Sequence, residues 1–389
     1  MRVTTSCSGR FHVFDQARQL HRHGVLYRFI NDYPRWMTRR WGIPNDRVIA
    51  LVINGMLGRM TRWIPESRMP AFKNRVAMLV HEAFSRRLAA HLPVNSDVFI
   101  GLSSFCLPAL ERAKACGQLT VVDHGSLHQR YERRLLEEEC RLHGLSGEGE
   151  VPPEWIIEKE NREFTTADRV MVLSQVARKS LIEHGVSDEK IFVNPCGVEL
   201  SQFFPVDVPL DGVFRIIYCG NISLRKGVHY LLQAFADLDI GNAELWLIGA
   251  APNPTLNRLL AKYRSDKVRF LGTYSQSELR RIYSMGSVFV LPSLADGFGM
   301  VVPQAMACGL PVIVTENVGA ADIVRDGRSG FIVPVRDVEA LCEKLRFLHE
   351  NRDLAREMGR QARQDVICGY TWDDYGDRLV GFLETLLRQ

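Results

Sequence analysis

Two kinds of apolar pattern alternate along this chain. Short unbroken runs recur: DVFIGLSS (97–104), LTVVDH (119–124), RVMVLS (169–174), FRIIYCG (214–220), AELWLIG (243–249), VRFLG (268–272), SVFVLPS (287–293), VIVT (312–315) and GFIVP (330–334). Their length and lack of polar alternation predict strands buried on both faces, the habit of parallel sheets. A further short strand is expected at residues 2–6. Between the runs the spacing becomes helical. From Pro70 to His91, Phe72, Val76, Leu79, Val80, Phe84 and Leu88 recur at steps that predict one buried face. Other helices are expected after Gly9, in QRYERRLLEEECRLHG, in VHYLLQAF, in SELRRIYSMG and from Val338 on, the last being TWDDYGDRLVGFLETLL. Strand and helix alternate over nearly the whole length, which predicts an α/β protein of doubly wound sheets. A Pro- and Gly-bearing stretch reaching about Val213 reads as a linker, so two such domains are expected.

The run SVFVLPS leads into DGFGMVVPQAMACGLPV (296–312), giving strand, glycine loop and helix. Gly297 and Gly299 permit a sharp turn and close backbone approach, and Pro303 suits the first turn of a helix. The free amides of Gly299, Met300 and Val301 should converge on one spot suited to a phosphate. Asp296 and Gln304 flank that spot. An ordinary capped connection would have the same outline, and a glycine-rich turn alone does not decide between the two.

The stretch resembles the signature of the retaining glycosyltransferases of family 4 (glycosyltransferase group 1 type, GT-B fold), in which two acidic residues eight apart bracket EGFG and EAMACGxPV. The resemblance implies two Rossmann-like domains facing across a cleft: residues 1–205 on the acceptor side, 206–370 binding a nucleotide sugar, and a final helix, about 371–389, packed back on the first domain. It assigns Asp296 to the donor sugar and Gln304 to the ribose, with Phe298 in the same loop. Both acidic positions depart from glutamate. Asp296 keeps the charge with less reach, while the amide of Gln304 offers one acceptor and one donor in place of two acceptors.

Further site residues follow from the same resemblance. Lys226, six residues after Gly220, matches the family lysine that binds the donor diphosphate. Asn221 stands where an arginine is common, and Arg225 is the candidate replacement or else points to solvent. There is no GxxxxGK[ST], so this is not a P-loop. Gly272, Thr273 and Tyr274 match the place where backbone reads the nucleotide base. His124, at the carboxyl end of a strand, matches a histidine near the donor sugar; a turn histidine bonding locally is the competing reading. Asp123 and His128 are set aside. The first loop has one glycine where the family has paired ones, so Gly9 and Arg10, within the stretch Ser8 to His12, are weak acceptor-side candidates.

Composition narrows the classes. The chain has 389 residues, 46% apolar and 24% charged, which is ordinary globular composition. Nine cysteines without a CxxC pair indicate neither zinc nor disulfides. The beginning, MRVTTSCSGRF, has no apolar signal core, and no run approaches a membrane span. A cytoplasmic protein, with at most peripheral contact at the inner face of a membrane, is expected. The one DxD-type pair, Asp237 and Asp239, lacks a phosphate-binding context, so no metal and no cofactor are expected. From Arg28 to Arg75, ten Lys or Arg face three acids, with Trp36, Trp41 and Trp63 among them. This is either a solvated face over buried tryptophans or a surface for anionic lipid.

The expected function is a metal-independent, retaining transferase of hexosyl type. It would move sugar from a nucleoside diphosphate to an acceptor hydroxyl on a lipid-linked glycan or glycolipid in cell-surface polysaccharide synthesis, with no nucleic-acid partner. The alternative is a nucleotide-sugar-binding subunit without turnover, motivated by Asn221, Asp296 and Gln304. A dinucleotide oxidoreductase would need GxGxxG after the first strand, and it is not there.

Overall fold

The computed structural model describes residues 1–60, 70–147, 151–208 and 211–388. Strands β1 (Val3–Cys7), β2 (Leu26–Asn31), β3 (Val48–Ala50), β4 (Val98–Leu102), β5 (Leu119–His124), β6 (Arg169–Val172) and β7 (Ile191–Val193) form the first sheet in the order β3-β2-β1-β4-β5-β6-β7. Strands β8 (Phe214–Cys219), β9 (Ala243–Ile248), β10 (Val268–Gly272), β11 (Val288–Leu291), β12 (Val312–Thr315) and β13 (Gly330–Val333) form the second in the order β10-β9-β8-β11-β12-β13. The pairings in both sheets are parallel. Every residue of β1 and of β8 is buried, because helices cover both faces. In each sheet the strand order reverses beside the first strand, between β1 and β4 and between β8 and β11. Such reversals open a crevice at the carboxyl ends of the strands, and there the two sheets meet.

The helix Trp372–Leu387 starts from a capping box, in which Thr371 and Asp374 satisfy each other's backbone amides. It lies on the first domain. Gln16 donates to the Tyr375 hydroxyl at 3.0 Å, Arg378 donates to Asn194 at 3.0 Å, and Phe382 stacks on Phe192 at 3.8 Å. Tyr375, Leu379 and Leu383 are fully buried there, each apolar side chain contributing roughly 1.5–3 kcal/mol. The chain therefore crosses between the domains twice, before β8 and again near Thr371.

Two features differ from the sequence reading. Strands β2 and β3 and the helix Val52–Met60 occupy a stretch read only as basic and tryptophan-bearing. The helix Pro70–His91 is present, but only its second half buries the apolar stripe. Phe84 and Leu88 are buried, whereas Phe72 is 50% and Leu79 58% exposed. The helix lies against the helices Leu107–Ala115 and Val52–Met60, and a β-carbon at Gly58 would lie 3.7 Å from Val80. Of the three tryptophans, Trp41 is partly buried against Phe14 at 5.1 Å, Trp36 is exposed, and Trp63, with neighbouring Arg62, lies outside the described residues.

Candidate active site

A cleft of about 640 Å³ opens between the carboxyl ends of the two sheets. Its second-domain wall is built on two turns. The first follows β8, where a short 3-10 turn, Leu224–Lys226, ends at Gly227 in the left-handed conformation (φ 63°). A β-carbon at Gly227 would meet the Pro292 carbonyl oxygen at 2.0 Å, so only glycine lets the turn sit against the end of β11. This places Lys226 over the second turn, after β11, where its ammonium pairs with the carboxylate of Asp296. Backbone bonds hold Asp296 in place: its amide donates to Asn317 at 3.0 Å and its carbonyl accepts from Gly319 at 2.9 Å. Burial alone would raise the Asp296 carboxyl, but the charges of Lys226 and Arg225 outweigh it and hold the group below the usual carboxylate range. Burial draws the Lys226 ammonium down, against the attraction of Asp296. With a second cation beside it, the pair is ionic.

Beyond Asp296, Phe298, Gly299, Met300 and Val301 line the cleft, and Gln304, nearly buried, lines it one turn further on. The helix Val301–Ala307 begins at Met300 without a side-chain cap, leaving the first amides for whatever the cleft holds. Gly297 has a different role. A β-carbon there would lie 2.2 Å from the Gly125 carbonyl oxygen of the first domain, and its own carbonyl accepts from Ser174 at 2.8 Å. It is a point of interdomain contact.

The first-domain wall carries Arg10, His12, Asp15, Arg18, Arg40, Trp41 and Glu199. His12 Nε2 lies 3.0 and 2.9 Å from the two oxygens of the buried Asp123, which also accepts from Gln16 at 2.8 Å. Burial pushes the His12 imidazole down, but Asp123 more than reverses this, so its pKa is raised. Arg18 pairs with Asp15 and Glu199, both at 2.9 Å. Burial raises Asp15 to about 6 despite Arg18, with Glu199 adding to the shift.

The structure thus brings Arg10, Gly220, Arg225, Lys226, Asp296, Phe298, Gly299, Met300, Val301 and Gln304 to one cleft. His124 is not among them. Its ring is buried beneath the cleft, with Nε2 at 3.1 Å from the Leu127 carbonyl and Nδ1 at 2.9 Å from the Ser103 hydroxyl. Since a carbonyl only accepts, Nε2 carries the proton. Burial lowers the group to about 4, and the local-bonding reading describes it. Gly9 faces inward, its amide donating to Asp32 at 3.0 Å. Arg225 does not point to solvent; it donates to the Ala295 carbonyl and lies 3.4 Å from Glu132 of the first domain. Gly272 lines a smaller adjoining pocket of about 370 Å³ with Ile222, Gly249 and Phe270, while Thr273 and Tyr274 are exposed at its margin. The two pockets meet where Gly249 packs on the Gly220 carbonyl. Of the pair that residue reading set aside or left weak, Asp123 sits at the carboxyl end of β5 and His12 is the N-cap residue of the helix after β1, the crevice position by which it could have been found.

Outside the cleft, Glu139, His143 and His229 gather where the domains touch. Glu139 accepts from His229 at 2.8 Å, Tyr230 at 2.7 Å and Arg336 at 2.7 Å. With a guanidinium already on the carboxylate, this is a hydrogen-bonded clasp, and it holds Glu139 down at about 2, burial being overcome by the His229, Tyr230 and Arg336 bonds.

Comparison with known proteins gives consistent results. Residues 204–365 match the family model described as glycosyl transferases group 1. A D-inositol 3-phosphate glycosyltransferase of Streptomyces bingchenggensis is 29% identical over 267 residues, covering 60% of this chain and 58% of that protein. A putative colanic acid biosynthesis glycosyltransferase, WcaL, of Salmonella typhimurium is 26% identical over 235 residues, covering 57% of this chain and 58% of its own. The chain thus spans somewhat more than half the length of these curated relatives. HepE of Anabaena, solved in complex with UDP and glucose, superposes with a TM-score of 0.70 over 99% of this chain and 100% of that one, at 15% identity, a likeness of fold. Residues 204–365 carry the group 1 glycosyltransferase pattern, and the chain as a whole has the two-domain architecture of the GT-B glycosyltransferases.

Proposed function

We propose that the protein is a retaining, metal-independent glycosyltransferase that moves a sugar from a nucleoside diphosphate to an acceptor hydroxyl. The observation that carries this reading is the Lys226–Asp296 pair, held nearly buried beside the uncapped helix start at Val301. A diphosphate entering there can take Lys226 and the amides of Gly299 to Val301 as donors. Those donors lie where charge develops as the sugar C1–O bond breaks, which is the arrangement that lowers such barriers. Asp296, relieved of its ammonium, then faces the sugar. Gln304 reaches the ribose with one acceptor and one donor, and the pocket at Gly272 takes the base. The acceptor oxygen attacks C1 from the face the diphosphate leaves, and its proton passes to the departing phosphate oxygen. His12, held by Asp123, stands on the opposite wall.

Metal independence is supported by the cleft's acids being committed to cations, Asp296 to Lys226 and Glu199 with Asp15 to Arg18. Among the described residues the His/Glu cluster at Glu139 lies outside the cleft. The acceptor class proposed is a lipid-linked glycan or glycolipid of a cell-surface polysaccharide; relatives are named for colanic acid and for capsular polysaccharide biosynthesis. Turnover of radiolabelled nucleotide sugars against lipid-linked and soluble acceptors tests the reading. Lys226-dependent transfer of label is the expected result. Donor binding without transfer or hydrolysis under any pairing would leave the binding-subunit alternative.

A further inference from the structure

The helix Val52–Met60 is amphipathic in the wrong sense for a soluble domain. Ile53, Met56, Leu57 and Met60 share one face by spacing, and that face is outward, at 59, 58, 45 and 62% exposure. The side turned inward carries Asn54 and Gly55, with Asn54 accepting from Arg87 at 3.1 Å. The adjoining first half of Pro70–His91 repeats the arrangement with Phe72, Met78 and Leu79 exposed. The two apolar faces belong to neighbouring helices that touch at Gly58 and Val80. A contiguous outward apolar face of this kind marks a docking surface.

Charge selects the occupant. Residues 35–60 and 70–81 contain seven Lys or Arg and one acid, Asp46, which lies 3.5 Å from Arg47. Arg39, Arg40 and Arg75 are exposed, and exposed Trp36 lies under the Arg40 guanidinium at 5.2 Å. Arg40 and Trp41 also line the cleft, and rings link the helix to that wall: the Arg59 guanidinium lies over Tyr33 at 5.1 Å, and Tyr33 and Trp41 both pack on Phe14, at 5.6 and 5.1 Å. We infer that the first domain docks through the helices Val52–Met60 and Pro70–His91 on an anionic lipid surface, presenting the cleft mouth at Arg40 and Trp41 to a membrane-held acceptor. The side chains enter the interfacial layer while the arginines meet the headgroups, as with interfacial amphipathic helices. This deepens the acceptor reading above and rests on it for the identity of what is glycosylated, but not for the docking itself.

The test is co-sedimentation with vesicles of phosphatidylcholine alone or mixed with phosphatidylglycerol, alongside a thermal shift with UDP. Wild type should partition onto the anionic vesicles at low salt and be released as salt shortens the reach of its charges. Arg75→Ala should weaken partition about five-fold, the size of one basic residue near an anionic leaflet. Leu57→Asp with Leu79→Asp should abolish it while leaving the melting temperature and the UDP shift unchanged, since both side chains are exposed. Equal binding to neutral vesicles, or none to either, overturns the inference. So does a concentration-dependent dimer that the double substitution abolishes, which would assign the face to a second copy. Vesicle binding without a UDP shift would instead count against the cleft reading and leave the docking standing.

Discussion

Lys226→Ala should act on stability and on chemistry separately, and the two can be told apart. In the native cleft the Lys226 and Asp296 side chains are 13% and 12% exposed. Removing one partner of a buried pair typically costs about 3–5 kcal/mol, because the other charge is left stranded. Here the pair borders an open cleft and Arg225 also stabilises Asp296, so a smaller loss of about 2 kcal/mol is expected. For a domain of this size that lowers Tm by about 4–8 °C. Adding Asp296→Asn removes the stranded charge and should restore most of the lost stability. Turnover should follow the opposite logic. Loss of one preorganised donor to the leaving diphosphate lowers kcat by about 10²–10³-fold, and the second substitution cannot recover it. Differential scanning calorimetry of the two variants, with single-turnover transfer of labelled sugar, measures both. A double variant no more stable than the single one would refute the account of the pair. Recovered transfer in the double variant would refute the role of Lys226.

Other expectations follow from the same geometry. Gln304→Glu should hold or tighten nucleoside diphosphate affinity by calorimetric titration, since a carboxylate can accept from both ribose hydroxyls; weakening of ten-fold or more would count against the ribose assignment. Asp296→Asn alone should lower kcat more than donor affinity, and unchanged turnover would favour a binding subunit. Transfer should persist in excess EDTA; a strict demand for Mg²⁺ or Mn²⁺ would be the contrary outcome. Glu160 is buried, and burial raises it to about 8 from the usual 4.5 despite its bond to Ser104, with Glu163 adding to the shift. The folded state therefore holds a proton that the unfolded state has released, and stability should fall as pH rises from about 4.5 to about 8, by roughly 3–5 kcal/mol. Glu160→Gln should flatten that slope in urea melts; an unchanged slope would place the titration elsewhere.

The sheets were legible because strands covered on both faces write themselves as unbroken apolar runs, as FRIIYCG and SVFVLPS do. Strand β2 was not, because LYRFIN mixes arginine and asparagine with apolar residues, and β3 is only three residues long. The glycine loop after β11 was readable as a loop, but the use of Gly297 was not. Its close approach is to Gly125, which is remote in sequence and reaches it only through domain packing. The same holds for His12 and Asp123, 111 residues apart: a helix start and a strand end mark them as crevice residues, but not which side chain turns inward. His124 follows Asp123 on the same strand, and alternation along a strand sends neighbours to opposite faces. For the helix Pro70–His91 the spacing told which residues share a face, not whether anything covers it. Phe72 and Leu79 share that face and are exposed.

A crystal structure with a bound nucleoside diphosphate tests the central claim most directly. The account predicts the diphosphate between the Lys226 ammonium and the amides of Gly299 to Val301, with Lys226 drawn from Asp296 and the base in the pocket at Gly272. A nucleotide bound elsewhere, or a diphosphate that leaves the Lys226–Asp296 pair closed and the helix start at Val301 untouched, would contradict it.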